Sequence, residues 1–215
     1  MTEIFSSDAR VVAGALAVAA LAACASNLRT PEVVTTRTST AAGTIPMTVN
    51  VPPLPESELA NLRMMTDANI LQHMSTSDSL EIAMAQVALN RTQSNGVRDL
   101  ARTIIADHSR SLSTGKAIAR ANNIPLQLAP GDTSGMHGFM MIRRLQNAGA
   151  NFDRVYLGSQ IRLHQHMLAE LEALRNTASS TAVRQHILDD IEPVQRHLDT
   201  AQQLATSLGY TYPAP

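Results

Sequence analysis

Val97, Ala101, Ile104 and Ile105 recur at the spacing of one helix face, and the next position on that face is His108. A histidine therefore stands where packing would favour an aliphatic side chain. Three other helical patterns each place one polar residue on the inward stripe: Glu81, His164 and His197. Stripes of this period are buried by packing helix against helix. Composition agrees: 44% of the residues are apolar but only 3% are aromatic, and there is no Trp, which suits helices better than strands. The expected fold class is all-α.

A chain of 215 residues has room for one domain with appendages. Seventeen Lys and Arg against eighteen Asp and Glu leave a net charge of -1, so there is no excess positive field to attract nucleic acid. A Gly-rich phosphate loop, a nucleophile elbow and a cysteine nucleophile pattern are all absent from the sequence. The reading therefore leans away from an enzyme.

Val11 to Ala23 is an unbroken run of thirteen small and apolar residues, short for a membrane span but suited to the core of a secretory signal. It ends in Leu21-Ala22-Ala23-Cys24, which resembles the lipobox of bacterial lipoprotein precursors. That resemblance implies lipidation at Cys24, cleavage before it, attachment to a membrane and, with Ala25 following, residence at the outer membrane on the periplasmic side. Glu3 and Asp8 depart from the usual positive start of such signals. From Ala25 to about Pro55 the chain is rich in Thr, Ser and Pro without periodicity, which predicts an extended tether, with structure beginning near Glu56. The expected organisation is a signal peptide over 1–23, the lipid-attachment Cys and tether over 24–66, a bundle over 67–209 and a tail over 210–215.

Within the bundle, Asp67 is expected to cap a helix running to about Arg91, with Ser75-Thr76-Ser77-Asp78 interrupting or re-capping it. A second helix is expected over 95–121. The Gly- and Pro-rich segment 123–150 then forms a crossover with one short helix around Phe139-Met140-Met141-Ile142. A third helix runs from a cap at Asn151 to about Arg175, and a fourth from about Thr181 to Leu208, kinked by Pro193 and stopped by Gly209. Two hairpins joined by a long connection describe a four-helix bundle with a ferritin-like crossover.

Ser79-Leu80-Glu81-Ile82, Ala106-Asp107-His108-Ser109, Asn151-Phe152-Asp153-Arg154-Val155-Tyr156 followed by His164-Gln165, and Pro193-Val194-Gln195-Arg196-His197-Leu198 occur in order across residues 67–208. In this the chain resembles the bacterial domain of unknown function 4142. The resemblance implies a ferritin-like bundle in the cell envelope and no settled activity.

At 1.5 Å of rise per residue, Glu81 and His108 both lie roughly 20 Å from the turn near residue 94, and His164 and His197 lie roughly 21 and 28 Å from the turn near 178. All four therefore fall near mid-bundle. Three imidazoles and a carboxylate suit a transition metal such as Zn, Cu, Ni or Fe; equally, a buried His and Glu can satisfy one another and fix helix register without metal. The function expected is a non-enzymatic binding or envelope interaction module with a central polar layer, the alternative being a mononuclear metal site on Glu81, His108, His164 and His197. No Asp or Glu has a His three residues later, so the pattern of a di-iron centre is missing. Asp107, about 100° round the helix from His108, is expected to face solvent or backbone rather than support a ligand. His166 is expected at the surface, and His73, His137 and His186 have no helical partner at ligand spacing. The methionines read as core filler unless they cluster.

Overall fold

The computed structural model describes residues 51–212; the expected signal segment, Cys24, most of the tether and residues 213–215 lie outside the described residues. Its helices are α1 (Glu56–Arg63), α2 (Asp67–Arg91), α3 (Asn95–Ala121), α4 (Ser134–Gln146), α5 (Phe152–Thr177) and α6 (Thr181–Ser207). A 3-10 turn, Gly149–Asn151, leads into α5. There is no strand among the described residues. The protein is all-α, with the four long helices where the apolar stripes place them.

Helix ends follow local chemistry. Thr66 caps α2 in a reciprocal pair with Asn69. Asp67, expected as the cap, instead accepts from the backbone N–H groups of Ser179 and Ser180, both at 2.9 Å, and so ties the start of α2 to the α5–α6 turn. Ser94 caps α3 by accepting from the Val97 N–H. Helix α3 ends with Asn123 in the left-handed region, φ 53°, which lets Ile124 N–H reach the Ala119 carbonyl. Gly209, φ 71°, closes α6 in the same way, with Tyr210 N–H on Ala205.

The Ser75 to Asp78 run does not interrupt α2. Ser75 and Ser79 donate to the carbonyls four residues earlier, and Asp78 finds a partner on α3, so the helix absorbs its polar side chains without a break. Helix α6 likewise continues through Pro193. Two boundaries shift. Structure begins at Glu56 as expected, but residues 56–63, assigned to the tether, form the separate helix α1 against α5. Tyr210 and Tyr212, inside the expected tail, pack on the core, and the Tyr212 hydroxyl donates to the Arg154 carbonyl.

Helix α2 packs on α3, α5 on α6, and α3 on α6, whereas α2 and α5 meet sparsely. The crossover helix α4 lies on α2 and α1 lies on α5, flanking that open seam. Ile70, Leu71, Met84, Ile104, Leu157, Leu168, Ile187 and Leu198 fill the centre. Each such side chain contributes about 1.5–3 kcal/mol, more than a single cap, so burial of the stripes decides the fold. No helix among the described residues is long and apolar enough to cross a membrane.

Candidate metal centre

His108 on α3, His164 on α5 and His197 on α6 converge at the middle of this core. Their relative exposures are 4%, 0% and 1%, and each offers one ring nitrogen within 4.8 Å of the other two. The outward nitrogen of every ring is held by an oxygen. His108 Nδ1 lies 2.8 Å from Asp78 Oδ1, His164 Nδ1 3.0 Å from the Gln160 carbonyl, and His197 Nε2 3.1 Å from Asp107 Oδ2. A carbonyl or carboxylate accepts, so in the neutral rings these outer nitrogens carry the hydrogens.

That choice of tautomer turns three lone pairs inward: His108 Nε2, His164 Nε2 and His197 Nδ1. His164 Nε2 and His197 Nδ1 stand 3.2 Å apart, and buried His108 Nε2 has no hydrogen-bond partner among the described residues. Two facing lone pairs at that distance repel unless a proton or a metal ion sits between them. Protonation is opposed. Burial and then the neighbouring His108 and His197 push His164 far below its ordinary value, and burial and then His108 lower His197 to about 4. Ligand nitrogens around a tetrahedral ion with 2.0–2.1 Å bonds are about 3.3 Å apart, close to the spacing found here.

The surrounding charges are arranged by the same helices. Burial alone would raise Asp107, but hydrogen bonds from Arg110, His197 and Arg196 outweigh it and hold the carboxyl below its ordinary value. Asp107 thus remains an acceptor for His197, contrary to the expectation that it faces solvent or backbone rather than supporting a ligand. The reason is packing: the direction 100° from His108 is the α3–α6 groove, not the exterior. Burial lowers His108, yet its hydrogen bond to Asp78 and the charges of Glu81, Asp78 and Asp190 together raise it. Asp78, which the sequence pattern assigned to a helix interruption, is the supporting residue that spacing missed. An Asp and a His thirty residues apart carry no periodic signal.

Glu81 stands outside the three-histidine group. It is 3% exposed and accepts from Gln160 Nε2 at 3.0 Å; burial, offset in part by His108 and Gln160, raises its carboxyl. Its neighbour Tyr156 is fully buried with an unpartnered hydroxyl. The donor set the structure brings together is therefore three imidazoles, with their outer nitrogens fixed by Asp78, Gln160 and Asp107. Such a set fits Cu, Zn, Ni or Fe, and the oxygens behind it are of the kind that orient ligating histidines.

Along the α2–α5 seam runs a cavity of about 480 Å³, with Glu81 on its inner wall and Met65, Met84, Met141 and Met167 around it. His73, His137 and His166 line it too. His186 is buried beside Gly115 instead, its Nε2 3.1 Å from where a Cβ would stand.

The sequence pattern of the family described as Domain of unknown function (DUF4142) matches residues 52–204. Among curated proteins none matches the chain. Two solved structures share the fold. One is CopM in the Cu(II)-bound form, with 21% sequence identity and a TM-score of 0.54, covering 66% of this chain and 98% of that one. The other is a DUF305 fragment from Deinococcus radiodurans, with 19% identity and a TM-score of 0.56, covering 73% of this chain and 99% of that one.

Proposed function

We propose that this chain, which belongs to the DUF4142 family, binds a transition-metal ion at the centre of its bundle, with His108, His164 and His197 as ligands. The observation that carries the reading is the 3.2 Å approach of two buried imidazole nitrogens whose hydrogens are committed outward. The structural likeness to CopM, described in a Cu(II)-bound form, adds copper to the ions worth testing. A metal bound there would replace the missing proton, neutralise the lone-pair repulsion and join three helices. The role is binding rather than turnover. His164 and His197 supply neutral donors, His108 supplies the third once the ion displaces its proton, Asp78 and Asp107 keep the rings oriented, and the apolar core excludes solvent from the ion.

The same proposal places the domain in the cell envelope, anchored through lipidated Cys24 with the bundle on the periplasmic side of the outer membrane. The support is the lipobox-like Leu21-Ala22-Ala23-Cys24 after an apolar run. Mass spectrometry of the membrane-extracted protein checks it: a diacylated N-terminal Cys24 is expected, and a mature chain beginning elsewhere overturns the anchor.

Metal analysis of the purified full chain, carrying Cys24→Ser to remove the thiol, tests the centre after dialysis against Cu, Zn, Ni or Fe. One equivalent that disappears in His164→Ala is expected, together with a rise in Tm for the parent only. Equal metal content in parent and His164→Ala, with no thermal shift, would reduce the cluster to a polar layer that fixes helix register.

A further inference from the structure

We propose a second divalent-cation site, at the mouth of the α2–α5 cavity, formed by Glu58 of α1 and by His166 and Glu170 of α5, with His73 of α2 behind Glu170. It uses none of the central ligands and stands whether or not the central site binds metal. His166 Nε2 lies 2.9 Å from Glu58 Oε1 and 3.6 Å from Glu170 Oε1, and Glu170 Oε1 lies 3.2 Å from His73 Nε2. One donor atom each from Glu58, His166 and Glu170 falls within 4.8 Å of the other two. Glu170 Oε1 is therefore shared between two imidazole Nε2 atoms from different helices.

Two further observations point to a ligand. His73 is only 9% exposed, faces the cavity, and neither ring nitrogen makes a well-directed hydrogen bond among the described residues. Its Nδ1 is 3.6 Å from Asp132 Oδ2, and that oxygen is itself unpartnered. With this buried imidazole aligned with neither carboxylate, Glu170 Oε1 stays open to a cation on the side where Glu58 and His166 stand. The second observation is charge. Glu58, Glu81, Asp132 and Glu170 all line the cavity, and no Lys or Arg among the described residues does. Buried carboxylates without a cation are costly, and histidines at neutral pH offset them only partly.

Two carboxylate oxygens with one imidazole form a mixed donor set that favours borderline divalent ions such as Zn²⁺, Fe²⁺ or Mn²⁺ over soft Cu(I). The site is assembled by the part of the chain that the bundle proper does not need. Helix α1 brings Glu58 across α5, and the loop before α4 brings Asp132 over α2. Binding would fasten α1 to the bundle through Glu58.

Zinc is the probe. The full chain with Cys24→Ser is dialysed against Zn²⁺, alone and in a His164→Ala, His197→Ala background, and zinc per chain is measured. Glu170→Gln is expected to remove one equivalent from each background, and Glu58→Gln to weaken that equivalent at least 10-fold. Glu58 lies on a short outer helix and is partly exposed, so its replacement keeps the test valid should Glu170→Gln fold poorly. Unchanged zinc content and affinity in Glu58→Gln, or in folded Glu170→Gln, would overturn the site. The His164→Ala, His197→Ala background is expected to keep one equivalent, and a background that binds no zinc would likewise overturn the site.

Discussion

His197 meets the proposed ion through Nδ1 only because Asp107 takes the hydrogen on Nε2. Asp107→Asn keeps the size of the side chain but replaces a charged acceptor with an amide that can present either oxygen or nitrogen to the ring. The expected result is a 10–100-fold loss of metal affinity with little change in helix content, measured by competition with a chromophoric chelator. An affinity equal to the parent's would remove Asp107 from the site. The four inward polar positions were legible because each sits on an apolar stripe, and Glu81, His108, His164 and His197 are all buried. What their spacing could not show is which oxygen stands behind each ring. Asp78 and Asp107 are adjacent to polar neighbours in sequence and acquire their meaning only when α2 and α6 are laid against α3.

The four long helices were readable from their caps and stripes, whereas α1 was readable only as a start of structure near Glu56 and not as a helix. Eight residues behind a proline, with one buried side chain, Leu62, carry too little periodicity to separate a helix from a tether. Its stability comes from α5, not from its own sequence. The crossover shows a similar dependence. Gly138 on α4 sits so close to α2 that a Cβ there would stand 2.3 Å from the Leu80 methyl groups and 2.7 Å from Leu80 Cγ. Leu80 would have to move as a whole, and both residues border the seam cavity. Gly138→Ala is therefore expected to destabilise the domain by about 1–3 kcal/mol despite the higher helix propensity of Ala, lowering the urea midpoint. An unchanged or raised midpoint would show that α4 is not pressed onto α2.

Across the whole molecule, ionisable groups buried at the centre make stability depend on pH in opposing directions. His197 titrates at about 4 in the fold against 6.5 when free, so between those values the unfolded chain binds a proton that the native chain refuses. Stability from this group is complete above about pH 6.5 and is lost as pH falls towards 4. His164, lowered by burial, acts in the same direction. His108 and His73 are raised, so their contributions are complete below pH 6.5 and decline only as pH rises through their native values. Glu81 and Asp190, raised chiefly by burial, take up protons in the fold first and so oppose His197 on the acid side. The net curve mixes these terms, but the difference between parent and His197→Leu isolates one of them. In chelator, the parent's unfolding free energy should fall more steeply from pH 6.5 to pH 4 than the variant's, by up to about 1.4 kcal/mol per pH unit, the slope of one proton. Urea titrations at half-unit intervals measure it. Parallel curves would mean that His197 is not kept neutral by the fold. Its Nδ1 would then carry a hydrogen towards His164, and the inward lone pair on which the metal centre depends would be absent.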